Sequence, residues 1–96
     1  MELKKRSIAG TMESSDCLIT VEPKEDGKIQ IEVDSVVQKQ FGSQIESVIR
    51  KTLVEMNVSS AWIKINDKGA LDCVIIARLK AALIRSNEEL EMKWEV

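Results

Sequence analysis

Residues 29–56 read IQIEVDSVVQKQFGSQIESVIRKTLVEM, and the spacing of their apolar side chains changes once along this stretch. From residue 29 to residue 33 every second residue is apolar, which is typical of a strand with one buried face. From residue 37 onward the spacing becomes helical, at Val37, Phe41, Ile45, Val48, Ile49, Thr52, Leu53 and Met56. The stretch therefore predicts a strand followed directly by an amphipathic helix, which ends at Asn57.

Another strand is predicted before this stretch. Residues 17–21, CLITV, are rich in β-branched side chains, and residues 23–28, PKEDGK, interrupt the run. The pair Asp26-Gly27 favours a turn because glycine adopts positive φ at little cost. We therefore predict that residues 17–21 and 29–33 pair with each other as a β-hairpin.

Three more elements are predicted toward the carboxyl terminus. Residues 61–65, AWIKI, indicate a strand, and residues 70–86 indicate a second helix whose wide apolar stripe suits burial on two sides. Residues 90–96 alternate apolar and charged side chains without interruption, which predicts a last strand at a sheet edge. Near the amino terminus, residues 7–12 fit either a short strand or an ordered loop.

The element order predicts the fold class. Strand, strand, helix, strand, helix and strand indicate an α+β two-layer sandwich, with both helices on one face of a mainly antiparallel sheet. A length of 96 residues fits one domain. A net charge of -2 and an aromatic content of 3% argue against a nucleic-acid partner. No stretch is long and apolar enough to cross a membrane, so we expect no membrane partner either.

The residue types present also restrict the chemistry. The chain has no histidine, which removes the usual general base and most catalytic zinc sites. Cys17 and Cys73 form no CxxC pair and lie in apolar runs, so we predict buried, reduced thiols in a cytoplasmic protein. Two carboxylate pairs are candidates for acid–base catalysis, but their polar, turn-like surroundings favour a solvated surface; they are Glu13 with Asp16 and Asp67 with Asp72.

Three other motifs each allow two interpretations. The triplet Asp34-Ser35-Val36 is similar to the attachment sequence of ordinary helical-bundle acyl carrier proteins, but the predicted strands favour a helix N-cap instead. The cluster Lys4-Lys5-Arg6 is either solvated or a handle for a phosphate-bearing group or an acidic partner. Trp94 either packs on the core or docks against a partner chain.

Residues 9–16, AGTMESSD, place two adjacent serines between carboxylates, ahead of a predicted strand. Ala9 and Gly10 have little bulk, so another protein can approach the backbone closely. Glu13 and Asp16 would repel an added phosphate, so a phosphodiester on this segment would extend into water. The segment suits the attachment of a mobile group, and it also suits an unmodified loop.

Three segments resemble the citrate lyase acyl carrier proteins, the gamma subunits of that complex. They are AGTMESSD at 9–16, IEVDSVVQKQFG at 31–42 and DKGALDCVIIAR at 67–78, and the resemblance extends over nearly the whole chain. In that family a serine of the Glu-Ser-Ser-Asp segment carries phosphoribosyl dephospho-coenzyme A through a phosphodiester. The resemblance implies Ser14 as the attachment residue, next to Ser15. It also implies one acyl carrier domain over 1–96, with an attachment segment at 1–16 and an α+β core at 17–96.

The family resemblance further implies a role and partners. The attached group ends in a thiol that holds acetyl or citryl; the alpha subunit exchanges the acyl unit and the beta subunit cleaves citryl, so that citrate becomes oxaloacetate and acetate. A prosthetic-group transferase and an acetylating ligase would also act on the chain, which would itself be non-catalytic, without catalytic or metal-binding residues. Two alternatives are an unmodified interaction module that recruits partners through residues 90–96, and a small stand-alone enzyme, which the missing histidine disfavours.

Overall fold

Four strands and two helices make up the part of the chain that the computed structural model describes, residues 1–88 without the side chains of 38–40. The strands are β1 (Ser7–Gly10), β2 (Cys17–Glu22), β3 (Ile29–Ser35) and β4 (Ala61–Asp67). The helices are α1 (Gln38–Glu55) and α2 (Asp72–Asn87). The predicted α+β class is confirmed, and the beginning of residues 7–12 forms a strand.

The sheet has the strand order β1-β2-β4-β3. β2 pairs antiparallel with both β1 and β4, whereas β3 pairs parallel with β4. The parallel pair is possible because α1 carries the chain back to the start of β4, as in other strand–helix–strand units. In this register Asp67 at the end of β4 lies opposite Cys17 on one side and Ser35 on the other.

The predicted hairpin between residues 17–21 and 29–33 is wrong, because β4 lies between β2 and β3. Alternation identifies a strand and its buried face, but it does not identify the neighbour with which the strand pairs. The connection over 23–28 crosses two strand spacings, roughly 10 Å, which six residues span easily. The hairpin present in the structure is formed by β1 and β2, and its loop contains the serine segment.

One face of the sheet and both helices enclose the core. α2 lies over β1 and β2, α1 lies over β3, and the helices contact each other, so both occupy the predicted single face. Buried residues of the central strands and helices form the core, among them Ile19, Val21, Ile63, Ile65, Ile49, Leu53, Ile75, Leu79 and Leu83. Each of these side chains stabilises the fold by about 1.5–3 kcal/mol through removal from water.

The start of α1 differs from the prediction. Asp34 and Ser35 still belong to β3, and the N-cap position of α1 is Val37, which makes no side-chain cap. The Ser35 Oγ does accept a hydrogen bond from the backbone N–H of Val37, at 3.0 Å. Phe41, expected in the core, is exposed because the buried stripe of α1 begins one turn later, at Ile45.

The predicted last strand over 90–96, including Trp94, lies outside the described residues. Within residues 1–88 neither helix is long and apolar enough to cross a membrane.

Candidate functional site

The loop between β1 and β2 presents the two adjacent serines to solvent. Ser14 and Ser15 are both exposed and form the centre of a turn, which the N–H of Asp16 closes on the carbonyl of Glu13 at 3.1 Å. Ser15 has a φ of 65°, a left-handed conformation. This conformation is uncommon for residues other than glycine. We call residues 11–16 the serine turn.

Gly10 is required where β1 enters the serine turn. Its φ is 106°, and a Cβ at this position would lie 1.9 Å from the carbonyl oxygen of Cys17. The ends of β1 and β2 must approach each other this closely, because the backbone N–H of Thr11 donates to the same Cys17 oxygen at 3.1 Å. The sequence suggested that Gly10 leaves room for a partner protein, but within the fold its small size serves the hairpin itself.

The serine turn is fixed to the loop that leads from β4 to α2. The N–H of Ser15 donates to the carbonyl of Lys68 at 2.8 Å, and the N–H of Lys68 donates to the carbonyl of Asp16 at 2.9 Å. These two bonds extend the pairing of β2 with β4 beyond the end of the strands. The backbone beside Ser14 is therefore held in place while the serine side chains face water.

Asp16 holds the serine turn from the other side. Its carboxylate accepts hydrogen bonds from Arg78 Nε at 3.0 Å and Arg78 Nη2 at 2.7 Å, and also from Thr11 Oγ1 at 2.7 Å. The backbone N–H of Cys17 donates to it as well, at 2.7 Å. The Arg78 guanidinium, followed by the Thr11 hydroxyl, holds the pKa of Asp16 well below its usual range. Asp16 is therefore ionised at neutral pH, where it anchors the turn and does not act as an acid–base group.

The other predicted carboxylate pair is divided between two environments. Asp67, expected at a wet surface, is buried and accepts hydrogen bonds from Ser35 Oγ at 2.7 Å and from the N–H groups of Gly69 and Ala70 at 3.2 and 2.9 Å. It therefore shapes the β4–α2 loop. Asp72 is exposed, as expected, and accepts a hydrogen bond from Gln44 Nε2 at 3.2 Å.

The two cysteines differ, contrary to the prediction that both are buried. Cys17 is buried in the core, where burial, together with the nearby charges of Asp16 and Asp67, raises its pKa to about 12. Cys73 is exposed, because the buried face of α2 begins only at Ile75. An inert thiol and an accessible thiol therefore stand at the same end of the sheet.

An open apolar groove lies between the beginnings of α1 and α2. It has a volume of about 600 Å³. Its walls include Val37, Phe41, Gln44, Asp67, Leu71 and Cys73. The β4–α2 loop therefore contributes to this groove and also binds the serine turn through Lys68. Within the described residues no group of three or more acidic or cysteine side chains is placed to hold a metal ion.

The basic cluster at residues 4–6 is remote from the serine turn. The N–H groups of Lys4 and Lys5 donate to the carbonyl of Ser86 near the end of α2, and Arg6 pairs with Glu22 at 3.2 Å on the surface. The cluster thus lies at the end of the sheet opposite to Ser14.

A small α+β body that holds a turn rigidly and leaves its serine hydroxyls in water has the geometry of a carrier subunit. Comparisons with known proteins agree with this class. The chain matches the family described as "ACP: Malonate decarboxylase delta subunit (MdcD)" over residues 4–86. It is 51% identical over 94 residues to the citrate lyase acyl carrier protein of Clostridium perfringens, with 98% of this chain and 93% of the relative covered.

Further similarities extend this result. The citrate lyase acyl carrier protein of Klebsiella pneumoniae is 44% identical over 94 residues, which cover 98% of this chain and 97% of that protein. A chain in the crystal structure of a Pseudomonas malonate decarboxylase hetero-tetramer in complex with malonate has the same fold, with a TM-score of 0.75 at 23% identity, over 88% of this chain and 86% of that chain. The chain belongs to the citrate lyase acyl carrier protein family. The predicted family is therefore confirmed over nearly the whole chain.

Proposed function

We propose that this chain is the acyl carrier subunit of a citrate lyase complex and that it carries phosphoribosyl dephospho-coenzyme A on Ser14. The observation that best supports the proposal is the exposed, anchored serine turn in a chain that is 51% identical to a citrate lyase acyl carrier protein. The proposed role is non-catalytic and cytoplasmic. The carrier delivers acyl cargo, and the larger alpha and beta subunits perform the chemistry.

The residues of the serine turn fit a covalent phosphodiester. Ser14 is exposed, so a nucleotide attached to its hydroxyl has space, and the neighbouring Glu13 is exposed too. The Glu13 carboxylate repels a phosphate and so directs it away from the body of the protein. When bound, the group would supply a terminal thiol for acyl cargo. The alpha subunit would exchange that cargo, and the beta subunit would cleave citryl to oxaloacetate and an acetyl unit that stays on the thiol.

The contribution of the chain itself is positional. Arg78 and Asp16 fix the shape of the turn, so the attachment point presents one conformation to each enzyme. A tether on a rigid body makes each encounter with an active site intramolecular, and effective concentration then replaces free diffusion. Cys17 is not the acyl-bearing thiol in this proposal, since it is buried with a pKa of about 12. Cys73 is exposed, so the variant Cys73→Ala is included in the test below to exclude it as the modified residue.

Intact-mass spectrometry tests the attachment. The chain is produced together with the prosthetic-group transferase and its nucleotide donor, and the wild type is compared with Ser14→Ala, Ser15→Ala and Cys73→Ala. We expect the added mass of one phosphoribosyl dephospho-coenzyme A group in the wild type, Ser15→Ala and Cys73→Ala, and no addition in Ser14→Ala. A group that persists in Ser14→Ala would assign the attachment to another residue. Unmodified chain in an active complex would refute the proposal.

Reconstitution separates the carrier from an unmodified interaction module. The alpha and beta subunits are mixed with modified wild type or with Ser14→Ala, and both assembly and citrate cleavage are measured. A carrier restores cleavage only as the modified wild type, whereas both proteins assemble. Equal cleavage with the two proteins would favour the interaction module.

A further inference from the structure

The serine turn shares one end of the sheet with several elements. Because β2 runs antiparallel to β4, the start of β2 lies beside the end of β4, and Cys17 faces Asp67. Because β3 runs parallel to β4, the end of β3 lies there as well. α1 follows β3 and α2 follows β4 after short connections, so both helices begin at this end. The serine turn, the groove and the first turns of both helices therefore lie at one end of the molecule.

Exposed apolar side chains lie on several elements at this end of the sheet. Met12 in the turn itself is 50% exposed, Phe41 on α1 is 47% exposed and Leu71 before α2 is 71% exposed. Val36, between β3 and α1, is 64% exposed. We call these four residues the apolar end. Large apolar side chains that are exposed at one end of a fold mark a candidate surface for binding another protein.

The N-cap of α2 supports a role in binding. The N-cap residues are Val37 and Leu71, and neither provides a side-chain hydrogen bond to the free N–H groups of its helix. Serine, threonine, aspartate or asparagine would satisfy one of those groups and stabilise the helix. Val37 is partly buried and packs against the core, which accounts for its apolar side chain. Leu71 is exposed, so its side chain neither caps α2 nor is buried, and it is available to a binding surface.

The charges at this end indicate the chemistry of the partner. The carboxylates of Glu13, Asp34 and Asp72 are exposed here, and the carboxylate of Asp16 is already neutralised by Arg78. Lys68 is half-buried in the same region. Among the described side chains, negative charge thus predominates at the edge of the apolar end. A complementary partner surface is apolar at its centre and carries lysine or arginine at its rim.

We propose that the apolar end is the docking surface through which the catalytic lyase subunits bind this chain, by an apolar patch with a basic rim. The inference rests on the proposed function, because that function requires another protein to approach Ser14. Met12 in the serine turn and Val36 between β3 and α1 do not line the groove. The surface is therefore wider than a pocket for the attached group alone. The carboxylates around it would also repel the phosphates of that group.

Binding measurements with matched variants test the proposal. The affinity of the purified lyase subunits is measured for wild type, Leu71→Ser and Phe41→Ser. The control is Val54→Ser, which removes an apolar side chain that is 74% exposed in the last turn of α1, away from the apolar end. We expect at least a tenfold loss of affinity for Leu71→Ser and Phe41→Ser and less than a twofold change for Val54→Ser. Equal affinities for all four proteins would overturn the proposal.

Cys73 supplies a second readout, because it lines the groove and is exposed while Cys17 is buried. Alkylation of Cys73 by iodoacetamide is followed by mass spectrometry for the modified carrier, with and without the lyase subunits. We expect alkylation of Cys73 to be at least tenfold slower in the complex than in the modified carrier alone. We also expect the modified carrier alone to react as fast as the unmodified chain. Slowing in the carrier alone would place the attached group in the groove and overturn the proposal, as would a complex without protection.

The variant Ser14→Ala separates this inference from the proposed function. Under the proposed function Ser14→Ala fails to restore citrate cleavage. Under the present inference Ser14→Ala binds the lyase subunits as tightly as the wild type. The bound subunits should also protect its Cys73 from iodoacetamide. Loss of its binding would overturn the inference and leave the proposed function standing.

Discussion

Arg78 donates two hydrogen bonds, of 3.0 and 2.7 Å, to the carboxylate of Asp16, although the two residues are 62 positions apart in the chain. The pair joins α2 to the end of the Glu-Ser-Ser-Asp segment. The final aspartate of this segment is thus a structural residue, whereas the serines before it face water. This division of roles explains how a loop can be exposed and still have a defined shape.

This ion pair predicts an acid-dependent loss of stability. The pKa of Asp16 is lowered in the folded state, mainly by Arg78 and next by Thr11, so the folded protein binds a proton less readily than the unfolded chain. The stabilisation is therefore complete above about pH 5 and is lost as the pH falls below about 4 toward the folded-state pKa. We expect Asp16→Asn to have a lower free energy of unfolding at neutral pH, and the difference from wild type to shrink at pH 3.

Urea unfolding at both pH values measures this difference. Asp34→Asn is the matched control, because Asp34 is an exposed aspartate at the end of β3. It should leave the free energy of unfolding nearly unchanged at both pH values. A difference between Asp16→Asn and wild type that is the same at pH 7 and pH 3 would contradict the prediction.

Gly10→Ala tests the entry to the serine turn. An added Cβ would meet the Cys17 carbonyl oxygen at 1.9 Å, and the φ of 106° is unfavourable for alanine. We expect a loss of about 2–4 kcal/mol in the free energy of unfolding. Gly27→Ala is the control, since Gly27 has a φ of 73° but nothing within 4 Å of the added Cβ. It should lose only about 1 kcal/mol, and equal losses in a urea titration would show that Gly10 is not constrained by Cys17.

Local spacing was sufficient to predict most elements of the fold, but not their pairing. The alternation over 29–33 and the helical spacing after Val37 correspond to β3 and α1. The parallel pairing of β3 with β4 depends on the path of the whole strand–helix–strand unit, which no short pattern contains. The six residues between Gly10 and Cys17, on the other hand, are rich in turn formers, and this signal for the β1–β2 hairpin was available.

The candidate site was predicted only where its residues are neighbours in the chain. Ser14 and Ser15 stand out because they are adjacent and flanked by acids. Arg78 was missed because an arginine on a helix is ordinarily solvated and its partner is distant in sequence. Asp67 had a local signal, since an aspartate two residues before a glycine favours a turn capped by its own side chain. Its burial depends on Ser35, which is 32 positions away.

Asp67→Ala tests this buried carboxylate. The substitution removes the carboxylate that accepts hydrogen bonds from the Ser35 hydroxyl and from the N–H groups of Gly69 and Ala70. We expect the free energy of unfolding to fall by about 2–4 kcal/mol in a urea titration, because unsatisfied polar groups in the interior are costly. Asp67→Asn keeps one acceptor oxygen and should lose about half as much. Asp34→Ala, at an exposed position, should stay within about 0.5 kcal/mol, and a similar small effect of Asp67→Ala would contradict the assignment.

Leu71 occupies the N-cap of α2 with a φ of -75° and a ψ of 159°, the extended backbone that a capping serine adopts. A serine oxygen at this position can accept a hydrogen bond from an N–H of the first helical turn, which leucine cannot do. We expect Leu71→Ser to raise the free energy of unfolding by about 0.5–1 kcal/mol in urea titrations, whereas Leu71→Ala, which lacks the oxygen, gains nothing. A serine variant less stable than the alanine variant would contradict this expectation. The expected gain means that leucine at this position lowers stability, and a residue that lowers stability at the edge of a functional surface is best explained by what that surface binds.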